Sequence, residues 1–325
     1  MRFGGSVVGK RPRRRRRPPH VTHGVRVMGP AALGALLVLA ACNQSPPSPA
    51  TPLIVTTIYP LRELARQVAG PSAQVVSLVP TGAEPHDWEP SPQDLARIRE
   101  AGVFIYHGAG LDPWVSRLLA DQASSKALIV RATDGIPLLS STTFPDSRGP
   151  IPDPHVWLDP VLAQSIVETI RGALAKADPD HAATYAENAR RFRSELQALH
   201  ERFAVGLAHC ARREVVTAHA AFAYLAKRYA LTLVPVMGLA PESEPSPAQL
   251  ASIVRFARDK KVQYIFVETL VSPGLAETLA REIGAQTLVL NPIEGLTREE
   301  QAAGRGYVTL MEENLKNLRI ALGCR

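Results

Sequence analysis

Cysteine is scarce in this chain: there are three in 325 residues, Cys42, Cys210 and Cys324. None has the spacing of a zinc-cysteine motif. No HExxH segment occurs, so the signature that pairs two zinc-binding histidines with a general base is missing. Acidic residues are absent from positions 1–41, a stretch that holds nine Lys or Arg, five of them in the run Arg13 to Arg17. The remainder carries 28 basic against 30 acidic residues, a balance of −2, so the formal charge of +7 belongs to the leader. Aromatics make up only 6%, and no basic stripe with interleaved aromatics remains to support nucleic-acid binding. The apolar run from Ala31 to Ala41 is too short, at about 1.5 Å per residue, to span a bilayer. It fits the apolar core of a secretory signal.

That run ends in Leu39-Ala40-Ala41-Cys42, followed by the soft segment NQSPPSPATP. The junction resembles the lipobox of bacterial lipoproteins, which implies lipidation of Cys42 as the mature N-terminus. Residues 1–41 are thus expected to be a lipoprotein signal segment and 42–52 a Pro/Ser-rich linker. The basic stretch is long for a signal, so a translation start nearer Val25 or Met28 stands beside the full leader. A twin-arginine signal lacks the residues expected after its arginine pair. Export puts Cys210 and Cys324 in an oxidising setting. One disulfide between them is expected, tying the C-terminus to the C-terminal lobe; the alternative is two unpaired thiols.

Beyond the linker, β-rich runs alternate with amphipathic helical ones, the pattern of an α/β protein with parallel sheets. LIVTTIY, QVVSLVP, VFIYH and ALIVRA read as strands of a first lobe, residues 53–178, and EVVTAH, LTLVPVM, QYIFVE and QTLVLNP as strands of a second, residues 210–325. Residues 134–154 read as a Pro/Ser-rich loop. Between the lobes, residues 179–209 read as one long linking helix with an apolar stripe at Tyr185, Ala189, Phe192, Leu196, Leu199 and Phe203. The expected architecture is two similar (βα) lobes joined by that rigid helix.

Three histidines stand out. His86 lies in GAEPHDWEP after the second strand run, His155 in the Pro-bounded turn DPHVWLDP, and His219 directly after EVVTA. Ligands of open α/β sheets gather outside the carboxyl ends of strands, and three imidazoles make most of a tetrahedral zinc site. If the lobes face each other, the three meet in the interlobe cleft. His107, His181, His200 and His209 read as hydrogen-bonded or solvated, with His107 a candidate to support the site from behind. Trp88 and Trp157 are candidates to wall the site, and Asp87 and Asp159 either orient imidazoles or cap helices.

The segments GAEPHDWEPSPQDL, DPHVWLDP, TAHAAFAYLAKRYAL, EPSPAQL, SPGLAETLAREIGA and LNPIEGLT resemble, in order, the metal-binding motifs of the zinc/manganese solute-binding lipoproteins of ABC importers. The resemblance spans residues 53–323. It implies a single metal in the cleft, delivered to a membrane permease powered by an ATPase, with His86, His155 and His219 as the first three ligands. Manganese-binding members usually have glutamate at the third position, so His219 points to Zn2+, in agreement with the preference of zinc for imidazole. At the fourth position the family's usual aspartate is replaced by Asn291. Glu294 is the preferred fourth ligand, ahead of water and then Asn291, with Glu268 an outside candidate and Glu244 read as structural. Many zinc-binding relatives carry a His- and Asp-rich insertion before His155; here SSTTFPDSRGPIP contains no histidine.

The expectation is therefore a monomeric, non-enzymatic protein of the cell envelope, lipid-anchored or periplasmic, that carries Zn2+ to its permease. The alternatives are manganese or an iron chelate as cargo, a zinc-dependent hydrolase, and an adhesin.

Overall fold

Four short runs rich in Val, Ile, Leu and Phe build the first sheet: β1 (Leu53–Thr56), β2 (Gln74–Ser77), β3 (Val103–Tyr106) and β4 (Leu128–Arg131). Their order is β2-β1-β3-β4 and every pairing is parallel. Ile54, Val55, Phe104 and Ile105 are buried; a strand covered on both faces reads as a continuous apolar run instead of an alternating one. This computed structural model describes residues 52–120, 126–146, 149–243 and 245–325. The leader, Cys42, the linker up to Thr51 and Glu244 lie outside the described residues.

Helices α1 (Tyr59–Ala69), α2 (Pro92–Glu100), α3 (Trp114–Ala120) and α4 (Pro160–Ala177) complete the first lobe. Pro60 sits in the first turn of α1 and ends the apolar run LIVTTIY as a strand, since its fixed φ suits a helix start. Residues 134–154 depart from the expected loop. They contain an antiparallel ribbon, β5 (Ser140–Asp146) with β6 (Gly149–Pro152). The run Ser-Thr-Thr-Phe has high strand propensity, and in a two-stranded ribbon every strand is an edge, where proline is tolerated.

The second sheet contains β7 (Glu214–Thr217), β8 (Thr232–Pro235), β9 (Tyr264–Val267) and β10 (Gln286–Val289), in the order β10-β9-β7-β8 and again all parallel. Counted from each sheet's own first strand, both sheets read 2-1-3-4. The two lobes repeat one topology that no short sequence repeat announces. Between the lobes a single turn of 3-10 helix, Pro179–His181, leads into α5 (Ala182–Gly206), somewhat shorter than the expected 179–209. The stripe Tyr185, Ala189, Phe192, Leu196, Leu199 and Phe203 is its buried face. At 1.5 Å per residue α5 is about 37 Å long. It lies on α1 and α4 of the first lobe and on α10 (Tyr307–Leu322) of the second, so one apolar core runs through both. The remaining helices of the second lobe are α6 (Ala223–Arg228), α7 (Pro247–Asp259), α8 (Gly274–Ile283) and α9 (Arg298–Ala302). Cys210 and Cys324 are joined in a disulfide that fastens the end of α10 to the approach of β7. Among the described residues no helix is long and apolar enough to cross a membrane.

Candidate metal centre

Each of four loops brings one side chain to a common point. His86 comes from the β2–α2 loop, which ends where Ser91 and Asp94 form a reciprocal capping box at the start of α2. His155 comes from the turn before α4, where the Asp159 carboxylate accepts from the Val161 N–H as N-cap. His219 follows β7, and Glu294 follows β10. His155, His219 and Glu294 are buried, and the His86 side chain keeps 9% exposure.

The distances are the decisive feature. His86 Nε2 lies 3.3 Å from His155 Nε2 and 3.2 Å from Glu294 Oε1. His219 Nε2 lies 3.4 Å from His155 Nε2 and 3.3 Å from Glu294 Oε1. His155 Nε2 is 2.9 Å from Glu294 Oε1. Four donors around a zinc ion with bonds of about 2.0–2.1 Å stand about 3.3–3.4 Å apart. Four of the five separations fall at or within about 0.1 Å of that range, and the fifth has the length of a hydrogen bond.

The outward nitrogens of two rings are held. The Asp153 carboxylate accepts from His155 N and lies 2.8 Å from His155 Nδ1. The Glu268 carboxylate accepts from His219 N and lies 2.6 Å from His219 Nδ1. A carboxylate on Nδ1 fixes the tautomer and leaves Nε2 free to coordinate. Glu268, the outside candidate for the fourth ligand, is thus engaged on His219. Asn291 is turned away from the cluster, its amide committed to Ile293 N and to Glu300.

Behind His155, His107 Nε2 donates to Pro154 O at 2.6 Å. Burial pushes the His107 imidazole down to about 3, so it stays neutral. Trp157 packs edge-on against both His107 and His155, and its Nε1 donates to Pro292 O at 2.8 Å, joining the His155 turn to the Glu294 turn. Trp88 instead packs on Trp114. Asp87 is exposed, and Asp159 caps α4 and pairs with Arg228, so neither orients an imidazole. His181 bonds Asp178 in the turn before α5, and His200 on α5 bonds Tyr229.

Two supporting carboxylates escaped the sequence reading. Glu84 and Asp153 each stand two residues before a histidine with proline between, in the triplets Glu84-Pro85-His86 and Asp153-Pro154-His155. In both, the acid accepts the histidine's own N–H, at 3.1 and 2.9 Å. The repeated acid-Pro-His triplet was the available signal.

Burial acts first on every charge here. It lowers His155, but hydrogen bonds to Asp153 and Glu294 outweigh it and hold His155 above the ordinary imidazole value. His219 is raised further, burial being overcome by Glu268 and Glu294. For Glu294, burial works upward, yet the three histidines hold the carboxyl well below its usual range. Burial, with Glu294 nearby, pushes Glu84 up to about 8. A cavity of about 240 Å³ opens beside His86, walled by Leu111, Ile151, Pro154, Leu239 and Ser243.

Comparison with known proteins gives a consistent picture. The family described as "Zinc-uptake complex component A periplasmic" matches residues 54–321. The chain is 39% identical over 277 residues to the "High-affinity zinc uptake system protein ZnuA" of Bacillus subtilis, covering 83% of this chain and 87% of that protein. It is 40% identical over 291 residues to the "Zinc-binding lipoprotein AdcA" of Streptococcus pneumoniae, covering 87% of this chain but only 58% of that longer protein. Among solved structures, the Zn(II)-bound ZnuA-like domain of Streptococcus pneumoniae AdcA superposes with a TM-score of 0.73 at 41% identity, over 84% of this chain and 99% of that one.

Proposed function

The chain belongs to the zinc-uptake complex component A family, and on that premise we propose that it captures Zn2+ outside the cytoplasm and delivers it to an ABC importer. His86, His155, His219 and Glu294 are the ligands. The observation that carries this reading is the set of five ligand-to-ligand separations between 2.9 and 3.4 Å. Relatives named for zinc uptake and zinc binding support the choice of cargo, as does an imidazole-rich donor set.

The donor set also speaks to what the site does with its metal. A catalytic zinc keeps one position open for water or substrate, whereas a closed site of four protein donors holds the ion without activating a nucleophile. Three histidines and Glu294 close the tetrahedron, which supports a carrier over a hydrolase. In capture, Nε2 of each ring coordinates, Asp153 and Glu268 keep two rings in register, and Glu294 supplies the one negative charge in direct contact. His86 is the ligand that lines the cavity, so the ion meets it first. Release requires the permease, driven by its ATPase, to separate loops of the first lobe from those of the second. The protein acts as a monomer in the cell envelope, held there through lipidated Cys42.

The test is metal competition. The stripped protein is offered Zn2+ and Mn2+ together, and bound metal is measured by elemental analysis. About one zinc per chain is expected, with loss of zinc in Glu294→Ala. Preferential retention of manganese overturns the choice of cargo, and unchanged zinc affinity in Glu294→Ala overturns the fourth ligand.

A further inference from the structure

We propose that Asn291 is a positioning residue for zinc capture: a side-chain clamp between Asn291 and Glu300 sets the left-handed turn at Ile293 that aims Glu294 at the three histidines. This rests on the reading of Glu294 as a zinc ligand. Ile293 has φ +58° and is fully buried. A β-branched residue in the left-handed region is an outlier, and such a conformation persists only where its surroundings over-determine it. Here the strained residue immediately precedes the carboxylate that the centre needs.

The surroundings can be counted bond by bond. Asn291 Oδ1 accepts from Ile293 N at 2.7 Å, closing a side-chain turn over Pro292. Asn291 Nδ2 donates to Glu300 Oε1 at 2.9 Å. The other Glu300 oxygen accepts from Thr297 N at 2.8 Å, and Thr297 Oγ1 accepts from Glu300 N at 3.1 Å, forming the capping box of α9. The first turn of α9 therefore grips both ends of the segment 291–297. Leu296 O also accepts from Gly82 N at 2.8 Å, so the same segment is bonded to the loop that carries His86. Asn314 fixes only the backbone of residue 291, donating to its carbonyl and accepting from its N–H.

Residue 291 needs an acceptor for Ile293 N and a donor for Glu300 in one short side chain. An amide supplies both. Aspartate would keep the acceptor but set a carboxylate against that of Glu300. Its Oδ1 being committed to Ile293 N, Asn291 works through Glu294 and not as a ligand.

A reciprocal swap tests the clamp. Zn2+ affinity is measured by chelator competition, and Co2+ is substituted to read coordination from its visible d–d bands, which are strongest in tetrahedral sites. Asn291→Asp is expected to weaken zinc binding about 10- to 100-fold and to shift the Co2+ spectrum toward that of Glu294→Gln. Glu300→Gln, at a half-buried position outside the turn, gives a smaller loss in the same direction. In the double variant Asn291→Asp/Glu300→Gln, the glutamine amide donates to the new carboxylate while its carbonyl still accepts from Thr297 N, so affinity and spectrum return. Melting curves of the metal-free variants establish that each is folded. Asn291→Asp binding zinc as tightly as the unsubstituted protein, or a double variant no better than the single one, overturns the clamp. An unchanged spectrum and affinity in Glu294→Gln instead removes Glu294 from the ligand set, a separate failure.

Discussion

Two of the three imidazoles have their outer nitrogen on a buried carboxylate, Asp153 for His155 and Glu268 for His219. Glu268→Gln keeps the shape but removes the charge, and is expected to weaken zinc binding about 10-fold or more without changing the number of bound ions; titration against a chelator checks it. Protons compete for the same nitrogens. Without metal, His155 and His219 are raised above the ordinary 6.5 by their carboxylate partners. That contribution to stability is fully present below pH 6.5 and fades as pH rises through the raised values. Glu294 is depressed, so its contribution would be lost only at acid pH, outside this window. Glu84, pushed up to about 8 by burial with Glu294 beside it, sheds its proton in the same direction as pH rises. Zinc must displace the protons, so the gap in melting temperature between zinc-loaded and metal-free protein is expected to widen from about pH 6 to pH 8. A gap that is flat across this range would show that no proton is displaced. The three histidines were legible in the sequence because each follows a strand run or opens a Pro-bounded turn. Asp153 and Glu84 were not, since short acids before proline serve many turns and only the folded loops show which N–H they accept.

At the scale of elements, α5 is the part the sequence displayed most clearly. Its six buried positions are the six of the apolar stripe, because an amphipathic helix between two bodies writes its period directly into the chain. Its ends were less legible, as the boundary depends on where Leu207 and the disulfide segment leave the helix axis. Phe203 is fully buried in the core shared by both lobes, and Phe203→Ala is expected to cost about 3–5 kcal/mol, read as a lowered denaturant midpoint. The disulfide acts at the opposite side of its lobe from the centre. It closes a segment of 114 residues, and its removal in Cys210→Ser/Cys324→Ser is expected to cost about 2–4 kcal/mol. Zinc affinity should stay as in the unsubstituted protein, since β7 stands between Cys210 and His219. The β5–β6 ribbon was read as a loop because proline and serine dominate its composition, while pairing between its strands is a tertiary choice that local propensity does not encode.

For the whole molecule, the centre is a joint between two copies of one topology. The first lobe gives His86 and His155, the second gives His219 and Glu294; three of the four donors follow strands of the parallel sheets, β2, β7 and β10, and His155 comes from the turn before α4. The core along α5 unites the lobes on one side, and on the proposed reading the ion joins them a second time through the four ligand loops. Binding energy is thus felt most by the loops that carry ligands and least by the central strands β1, β3, β7 and β9, which are largely buried. Zinc stabilises the folded state by mass action, in proportion to the logarithm of free zinc over its dissociation constant. Amide hydrogen exchange separates this from general tightening. Zinc is expected to slow exchange in residues 81–91, 153–159, 218–222 and 291–297, and chelation is expected to restore it. Exchange in β1, β3, β7 and β9, limited by global unfolding, should slow only by the overall gain in stability. Equal slowing everywhere would mean that the ion merely adds stability to a body that never opens at the cleft, and protection confined to one lobe's loops would mean that its ligands come from that lobe alone.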